Sequence, residues 1–364
     1  MIIISRFDRC GPNRQLLQII REMKTQMYEV YILTLFSEKK DSMFQEFDQI
    51  GVHIKSAEIA SNKNIFMIRK NIRNYLKKWE PDVVYSSGLS ANYNMAKTVK
   101  NKKLYCTLRN DAYVELKYNF GAIVCKVGKY MTDYAVKNID FVICCSQSLQ
   151  KIYQKRFPEK NIYCIQNGTD IEQFCYKEKV SNKKGKKVIF LVSGSLDDRK
   201  DPVTIIKAFQ RAGISEKAEL LFIGKGKLEK YCKELATDDT VKFLGFVDQV
   251  DRYYQEADVY VSASYLEGLP NSVLEAGACG CRMILSDIPQ HREIFMEADD
   301  CISFFEAGNI DELSELFRQN IKITNMEERK RISRYIVTNF SSNIMAQKYC
   351  DFIRQNVKSG RNVI

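Results

Sequence analysis

The chain has 364 residues, 45% of them hydrophobic, which exceeds one ordinary core and predicts a folded protein of two domains. Its first apolar run, residues 1–4, is shorter than the apolar region of a signal peptide, and no later run approaches the ~18 apolar residues of a membrane span. Because the sequence has only two histidines and no C-x-x-C pair, we expect no zinc site. The twelve cysteines are predicted to be reduced and mostly buried. We therefore expect a cytosolic protein.

The excess positive charge is confined to one half of the chain. Residues 1–170 contain 27 lysines and arginines against 16 acidic residues, whereas residues 171–364 contain 29 of each. Such an excess indicates an anionic partner: nucleic acid, anionic lipid or a phosphorylated substrate. An ordinary solvated surface is the alternative.

Short apolar runs alternate with amphipathic stretches, which predict helices such as 14–23 and 64–79. The runs predict strands at 28–35, 82–87, 103–108, 141–146 and 162–168 and, after a lysine-rich break at 177–187, at 188–194, 219–226, 241–246, 258–264 and 282–287. This alternation predicts an α/β chain of two doubly wound parallel sheets, with ligands at the carboxyl ends of strands. The domains expected are 1–168 and 187–340, followed by a C-terminal helix in 341–364 that returns to the first domain.

Two strand ends in the second half carry candidate phosphate-binding turns. Arg199 and Lys200 precede a predicted helix, whose N-terminal N–H groups favour an anion, although such pairs are often only solvated charge. Gly224 and Gly226 follow the next strand, but a lone G-x-G pattern is weak and a simple turn would explain it.

The third strand end is the sequence EGLPNSVLEAGACG, residues 267–280. Pro270 and Asn271 are typical of a helix start and Gly280 of a helix end, which predicts a helix over about 271–279. Glu267 and Glu275 then flank a helix N-terminus that can hold a diphosphate. A nucleotide-sugar has the matching order of ribose hydroxyls, diphosphate and sugar hydroxyls, while two unrelated surface charges are the alternative.

Together these motifs resemble the retaining glycosyltransferases of family 4. The E-x7-E span, followed by CRMILSDIPQHREI (281–294) and preceded by SGSLDDRKDPVTIIKAF (193–209) and IQNGTDIEQF (165–174), is similar in order to the family pattern. The resemblance is strong over about residues 160 to 310 and loose before them. It implies the GT-B fold, in which two Rossmann-like domains face each other across a crevice, the first for the acceptor and the second for the donor.

The resemblance also implies roles for single residues. Lys200, beside Arg199, would neutralise the donor diphosphate, while Glu275 would bind the ribose and Glu267 the transferred sugar; Lys200 and Glu267 are the implied catalytic groups. The other donor contacts that it implies lie at Gly11, Ser195, Phe246, Val247, Gly268, Leu269 and Asn271, with the base held mainly by main chain at positions 246 and 247. No cofactor is implied, and because no D-x-D motif occurs we expect no metal ligands. Such enzymes are thought to need no protein nucleophile, since the departing phosphate can take the acceptor's proton.

The first half departs from the family pattern. The usual glycine-rich loop after the first strand is reduced to one glycine, Gly11, and the usual histidine near the sugar is absent from TLRNDAY (107–113). Arg109 or Asn110 would take the histidine's catalytic place, with pairing between Arg109 and Asp111 or a neighbouring acid as the alternative. His291 is predicted to lie in a loop facing the donor crevice.

The basic half suits a membrane. The predicted helix 64–79 has an apolar side comprising Ile65, Phe66, Ile68, Ile72, Tyr75, Leu76 and Trp79, with Arg69, Lys70, Arg73, Lys77 and Lys78 elsewhere. The stretches 97–103 and 117–131 add further lysines among apolar residues. Such a surface fits an anionic bilayer and a lipid-pyrophosphate acceptor, while a core-facing helix with a solvated back is the alternative.

We therefore predict a retaining, metal-independent hexosyltransferase that moves a sugar from a nucleoside diphosphate-sugar, UDP in particular, to a growing saccharide. The acceptor expected is linked to undecaprenyl pyrophosphate and destined for a bacterial surface polysaccharide such as capsule, with the enzyme peripheral on the inner face of the plasma membrane. A GT-B nucleotide-sugar epimerase is the alternative within sugar chemistry. A basic nucleic-acid-binding protein is the alternative from another class, but the sequence contains no recognised nucleic-acid module, so we expect no nucleic-acid partner.

Overall fold

The computed structural model describes residues 1–59, 64–119, 122–178, 187–296, 301–321 and 326–358. The chain forms two compact units, of which the first contains residues 1–168 and the helix Ser342–Lys358, and the second contains residues 169–341. Residues 179–186 of the lysine-rich break and residues 120 and 121 of the stretch 117–131 lie outside the described residues.

The first unit is a parallel sheet flanked by helices. Its elements are, in chain order, β1 (Ile2–Ile4), α1 (Gly11–Thr25), β2 (Tyr31–Phe36), α2 (Phe44–Asp48), β3 (His53–Ile59), α3 (Ile65–Trp79), β4 (Val83–Ser87), α4 (Leu89–Thr98), β5 (Lys103–Leu108), α5 (Ala112–Asn119), α6 (Ala122–Asn138), β6 (Phe141–Cys144), α7 (Gln147–Arg156) and β7 (Ile162–Cys164). The strand order is β3-β2-β1-β4-β5-β6-β7, with every pair parallel. Because the order reverses between β1 and β4, the loops after these strands diverge and leave a gap at their carboxyl ends.

The last described helix of the chain, Ser342–Lys358, completes the core of this first unit. Its residues Met345 and Tyr349 are buried in the same apolar cluster as Leu16 and Ile20 of α1. Helix α1 repeats apolar residues at helical spacing, and the sheet and the C-terminal helix together bury them in this cluster.

The second unit is also a parallel sheet flanked by helices. Its elements are β8 (Val188–Ser193), α8 (Pro202–Ala212), β9 (Ala218–Ile223), α9 (Glu229–Leu235), β10 (Val241–Gly245), α10 (Val250–Glu256), β11 (Val259–Ser262), α11 (Asn271–Ala278), β12 (Arg282–Ser286), α12 (Pro289–Ile294), β13 (Ile302–Phe305), α13 (Ile310–Gln319) and α14 (Met326–Phe340); the helix Ser342–Lys358 of the first unit is α15. The order β10-β9-β8-β11-β12-β13 reverses between β8 and β11, so a ligand site is expected where these two strands end.

The predicted class of two doubly wound α/β sheets is confirmed, although several boundaries differ. Strand β6 ends before the predicted position 146 because Ser146 caps α7, its Oγ accepting from the Leu149 N–H at 3.1 Å. The predicted strands did not include β1, which is the short first apolar run, and neither β3 nor β13 was predicted. Both are sheet edges, and β3 alternates exposed and half-buried residues instead of forming an apolar run.

Helix α3 is mainly a core helix, which corrects the interpretation of its whole apolar side as a membrane face. Ile68 and Ile72 are fully buried, and the Trp79 ring lies 5.0 Å from that of Tyr31 on β2. Only its first turn, Ile65–Met67, exposes large apolar side chains. None of the described helices is long and apolar enough to cross a bilayer.

Candidate active site

The turn after β8 is held in place by its own polar side chains. Ser195 Oγ donates to Asp197 Oδ2 at 2.6 Å, and Asp197 Oδ1 accepts from the backbone N–H of Lys200 at 3.1 Å. Asp201 has a left-handed φ of 46° and caps α8 by accepting from the Thr204 N–H at 3.1 Å. The two cations of this turn are therefore positioned by local sequence.

Both cations bind the carboxylate that follows β11. Lys200 Nζ donates to Glu267 Oε1 at 2.5 Å, and Arg199 Nη1 donates to Glu267 Oε2 at 3.1 Å and to the Leu266 carbonyl at 3.0 Å. Ser264 Oγ adds a bond of 2.7 Å to Glu267 Oε1, and Glu267 exposes only 6% of its surface. The result is a compact cluster of two cations and one carboxylate where two adjacent strands end.

The protonation state of Glu267 follows from this cluster. Burial acts to raise the pKa of Glu267, but Lys200 and Arg199 outweigh it and lower the pKa to about 2. Glu267 therefore stays ionised at neutral pH. It can accept hydrogen bonds from hydroxyl groups, but it cannot serve as a proton donor.

The second glutamate lies on the adjacent helix. Helix α11 begins at Asn271, and Glu275 is in its second turn, 9% exposed. Tyr254 Oη, from α10, lies 3.1 Å from Glu275 Oε2 and 2.5 Å from Ser193 Oγ. The carboxylate is thus oriented by a buried tyrosine, which leaves it as an acceptor beside the helix N-terminus.

His291 lies in helix α12, and the prediction of an open loop is wrong. Its imidazole is fully buried, with Nδ1 2.8 Å from the Ser286 carbonyl and Nε2 3.4 Å from Ser262 Oγ. Since a carbonyl only accepts, Nδ1 carries the proton. Ser262 Oγ lies 3.2 Å from Ser264 Oγ, which bonds Glu267, so a row of hydroxyls connects the imidazole to the cluster.

The G-x-G pattern serves close packing of strand-end loops. A Cβ added to Gly224, whose φ is 121°, would lie 2.0 Å from the carbonyl oxygen of Gly194. A Cβ added to Gly226 would lie 2.2 Å from the carbonyl oxygen of Leu196. Both glycines are therefore required where the loops after β8 and β9 touch.

The first unit has its own cavity, of about 290 Å³, at the carboxyl ends of β1, β4 and β5. Arg109 and Asn110 line it, and Arg109 Nη1 donates to Asn167 Oδ1 at 2.5 Å. Asp111 is instead held by Arg156 through two hydrogen bonds of 2.8 Å. The alternative that Arg109 pairs with Asp111 is therefore wrong.

The structure groups most of the predicted donor residues in the second unit. Ser195, Arg199, Lys200, Glu267, Gly268, Leu269, Asn271 and Glu275 lie at or just beyond the ends of β8 and β11, and Phe246 and Val247 follow β10. Gly11, Arg109 and Asn110 belong to the first unit, where Gly11 begins α1. The roles assigned to all these residues stay predictions.

Sequence reasoning missed three hydroxyl groups of the site: Tyr254, Ser262 and Ser264. The serines belong to the segment VSAS at the end of β11, and their small polar side chains after an apolar strand were the available signal. Tyr254 gave no such signal, because an aromatic residue on an amphipathic helix is typical of a core position.

Comparison with known proteins identifies the family. Residues 10–173 match the family Glycosyltransferase Family 4, and residues 176–337 match the family Glycosyl transferases group 1. The chain is a family 4 glycosyltransferase. It is 25% identical to the O-antigen biosynthesis glycosyltransferase WclY of Escherichia coli over 83% of each chain. It is also 24% identical, over 94% of this chain and 95% of the other, to a Campylobacter jejuni enzyme named N,N'-diacetylbacillosaminyl-diphospho-undecaprenol alpha-1,3-N-acetylgalactosaminyltransferase.

Solved structures show the fold of this glycosyltransferase. Sucrose-phosphate synthase from Thermosynechococcus elongatus superposes with a TM-score of 0.81 at 17% identity, covering 98% of this chain and 99% of the other. Anabaena Alr3699/HepE, in complex with UDP and glucose, superposes with a TM-score of 0.76 at 16% identity, covering 97% and 98%. The predicted GT-B fold is confirmed.

Proposed function

We propose that this glycosyltransferase transfers a sugar from a UDP-sugar to a lipid-linked, growing saccharide of a bacterial surface polysaccharide, with retention of anomeric configuration. The observation that carries the proposal is the pairing of Arg199 and Lys200 with the buried carboxylate of Glu267, just before the helix that carries Glu275. The relatives support the pathway, since one is named for O-antigen biosynthesis and another for a diphospho-undecaprenol substrate. The structural neighbour crystallised with UDP supports the choice of nucleotide.

The geometry supplies the chemistry that this reaction needs. Arg199 and Lys200 bind the diphosphate, while Glu267 and Glu275 accept hydrogen bonds from the sugar and the ribose. When the bond from the anomeric carbon to the phosphate oxygen breaks, negative charge grows on the leaving diphosphate. Fixed cations stabilise that charge more in the transition state than in the bound donor, which raises the rate of the chemical step. The acceptor's hydroxyl oxygen forms the new bond to the anomeric carbon on the face from which the phosphate leaves, and its proton passes to the leaving phosphate oxygen. The product therefore keeps the donor's configuration.

An assay with matched donors and acceptors tests this proposal. We expect transfer from a UDP-sugar, and not from GDP- or ADP-sugars, to an undecaprenyl-pyrophosphate saccharide, with unchanged anomeric configuration by NMR and unchanged rate in a metal chelator. An inverted linkage or a preference for another nucleotide would contradict it. Conversion of the UDP-sugar without acceptor would instead indicate an epimerase, and a gel shift that is present at physiological ionic strength and weakens as salt rises would indicate nucleic-acid binding.

Glu275→Gln tests the donor side separately. Replacing the charged acceptor of the ribose hydroxyls should weaken UDP binding by ~1.5–3 kcal/mol, the range for a hydrogen bond to a charged group. Isothermal calorimetry with UDP measures the change. If UDP affinity were unaltered, Glu275 would not belong to the donor site.

We also propose that the first unit carries the enzyme to the inner face of the plasma membrane. The support is the confinement of the excess positive charge to residues 1–170 and the lipid carrier that the proposed acceptor contains.

A further inference from the structure

Exposed apolar side chains concentrate at the beginnings of helices α3 and α6. Of the 15 exposed large hydrophobic residues in the described part of the chain, seven lie in two short segments of the first unit. They are Ile65, Phe66, Met67, Ile123, Val124, Val127 and Tyr130. Phe66 is 72% exposed and Ile123 is 80% exposed, so these side chains make little contact with the unit that carries them.

The two segments lie at the same end of the first unit. Tyr93 of α4 contacts both neighbours, since Arg69 of α3 lies 5.7 Å from its ring centroid and the Tyr130 ring of α6 lies 6.1 Å away. Helices that connect parallel strands of one sheet run in the same direction. Residues one turn before Arg69 and Tyr130, namely Phe66 and Val127, therefore lie towards the carboxyl ends of the strands, as the cavity does.

The charge around these apolar residues is positive. Helix α3 has five basic residues and no acidic one, and α6 has three lysines and one aspartate. Lys70 and Lys126 are exposed next to the apolar residues. A tyrosine, several aliphatic side chains and surrounding lysines are the composition of a surface that inserts shallowly into an anionic bilayer.

Helix α6 connects this surface to the cavity of the first unit that Arg109 lines. Thr132 and Ala135, one and two turns further along the same helix, line the cavity that contains Arg109. A head group that leaves the bilayer beside the start of α6 would thus have only a few helical turns to travel. The same helix provides an outer face towards lipid and an inner face towards the acceptor.

We propose that the face formed by Ile65–Met67, Ile123, Val124, Val127 and Tyr130, which we call the α3–α6 face, docks on the surface of an anionic bilayer. This proposal deepens the proposed function and rests on it, because a lipid-linked acceptor gives the contact its purpose. Membrane binding can nevertheless be measured without sugar. Failure of docking and failure of transfer are therefore separate results.

The first measurement is sedimentation of the full chain with vesicles. We expect binding to vesicles that contain phosphatidylglycerol, no binding to pure phosphatidylcholine, and release as salt rises, because salt screens the attraction between lysines and anionic lipid. Absence of binding to anionic vesicles in the parent chain would overturn the proposal.

Matched variants locate the contact. Replacing Phe66, Ile123 and Val127 together by Asn should lower the partition coefficient at least ~10-fold, because three apolar side chains no longer insert. Met27→Asn, at a residue 90% exposed, is the control and should leave binding unchanged. UDP affinity and melting temperature should be the same in all of these chains, since the substituted residues are exposed and lie outside the second unit.

Reversing the charge of two lysines tests the electrostatic part of the contact. Lys70→Glu with Lys126→Glu should abolish binding to anionic vesicles, whereas Lys230→Glu, in the second unit with a side chain 92% exposed, should not. Equal losses in the control and the test variants would overturn the α3–α6 face. A parent chain that is dimeric without lipid, together with a monomeric Asn triple variant, would also overturn it, because a second copy of the chain would then occupy the α3–α6 face. An oligonucleotide complex lost only in the lysine variants would indicate a nucleic-acid surface instead.

Discussion

Glu267 has two electrostatic partners before any donor arrives. Lys200 and Arg199 both contact its carboxylate, so the cluster carries a net charge of one unit rather than two. The buried carboxylate would be costly without its cations, and the two half-buried cations would repel each other without the carboxylate. Glu267, which we propose binds the sugar, therefore also holds in place the two cations that we propose bind the diphosphate.

Lys200→Ala should affect both rate and stability. We expect kcat/KM to fall about 100-fold or more, because a cation opposite the leaving group is lost, and stability to fall by ~1–3 kcal/mol, because Glu267 keeps only one of its cations. Enzyme kinetics and urea unfolding measure the two effects. A variant with near-normal kcat/KM would place the diphosphate elsewhere.

The control is the double variant with Lys200→Ala and Glu267→Gln. Removing the carboxylate's charge should restore part of the stability but none of the activity, since the neutral amide no longer needs a cation. If stability stayed as low as in the single variant, the pairing between Lys200 and Glu267 would not be its cause.

His291 should set the first loss of stability on acidification. Burial lowers its pKa from 6.5 to about 4, so the unfolded chain binds the proton more readily and stability falls as pH drops from about 6.5 to about 4. Glu267 acts later, because its pKa is lowered from 4.5 to about 2 and its contribution, fully present above about 4.5, is lost only as pH falls towards 2.

His291→Gln isolates this effect. Urea unfolding near pH 7 and near pH 5 measures the free energy of unfolding. In the parent chain it should fall by up to ~1.4 kcal/mol per pH unit, and in the variant it should fall less, since the amide does not titrate. The same loss in both proteins would assign the acid sensitivity to other groups.

At the scale of the element, helix α11 owes its position to glycines on its far side. A Cβ on Gly277 would lie 2.7 Å from Ile336 Cγ1 of α14, so the two helices pack closely there. The helix is followed by Gly280, with φ 77°, where a Cβ would lie 2.6 Å from the carbonyl oxygen of Arg329. Any shift of this packing would move Glu275 with the helix.

Gly280→Ala and Gly213→Ala form a matched pair. Both glycines have a left-handed φ, 77° and 64°, but a Cβ at Gly213 meets nothing within 4 Å. We expect Gly213→Ala to cost about 1 kcal/mol from backbone strain alone, and Gly280→Ala to cost clearly more and to weaken UDP binding. Urea unfolding and calorimetry test this, and equal costs at both positions would show that the contact with α14 is easily relieved.

At the scale of the whole molecule, the last described helix, α15, belongs to the unit in which the chain begins. Ending the chain after Ser341 removes α15, and with it Tyr349 and Met345 from the core of the first unit. We expect limited proteolysis to attack residues 1–168 of the shortened chain, while UDP affinity largely persists because all the residues that we propose to bind the donor, except Gly11, lie in 169–341. Lys348→Ala, at an exposed position of α15, is the control. Loss of UDP binding with an intact first unit would contradict this division.

Much of this protein is determined by patterns that are local in sequence. The alternation of apolar runs and amphipathic stretches predicted two doubly wound sheets, because burial on both faces of a parallel strand requires a continuous apolar run. The sequence also predicted, for a similar reason, where four residues of the site lie: Glu267, Glu275, Arg199 and Lys200. Each follows a strand within one strand–turn–helix unit, and parallel strands bring their carboxyl ends to one edge of the sheet.

Tertiary structure alone decided which of these groups touch. Lys200 and Glu267 are 67 residues apart, and Tyr254 and Glu275 are 21 apart, so no periodicity connects them. Charge alone favoured Asp111 as the partner of Arg109, but the fold brings Arg156 to Asp111 and Asn167 to Arg109. An amphipathic pattern likewise shows that a helix has an apolar face without showing what covers it. In α3 the sheet covers most of that face and leaves the first turn exposed, because contacts between distant segments, which a local pattern does not encode, determine burial.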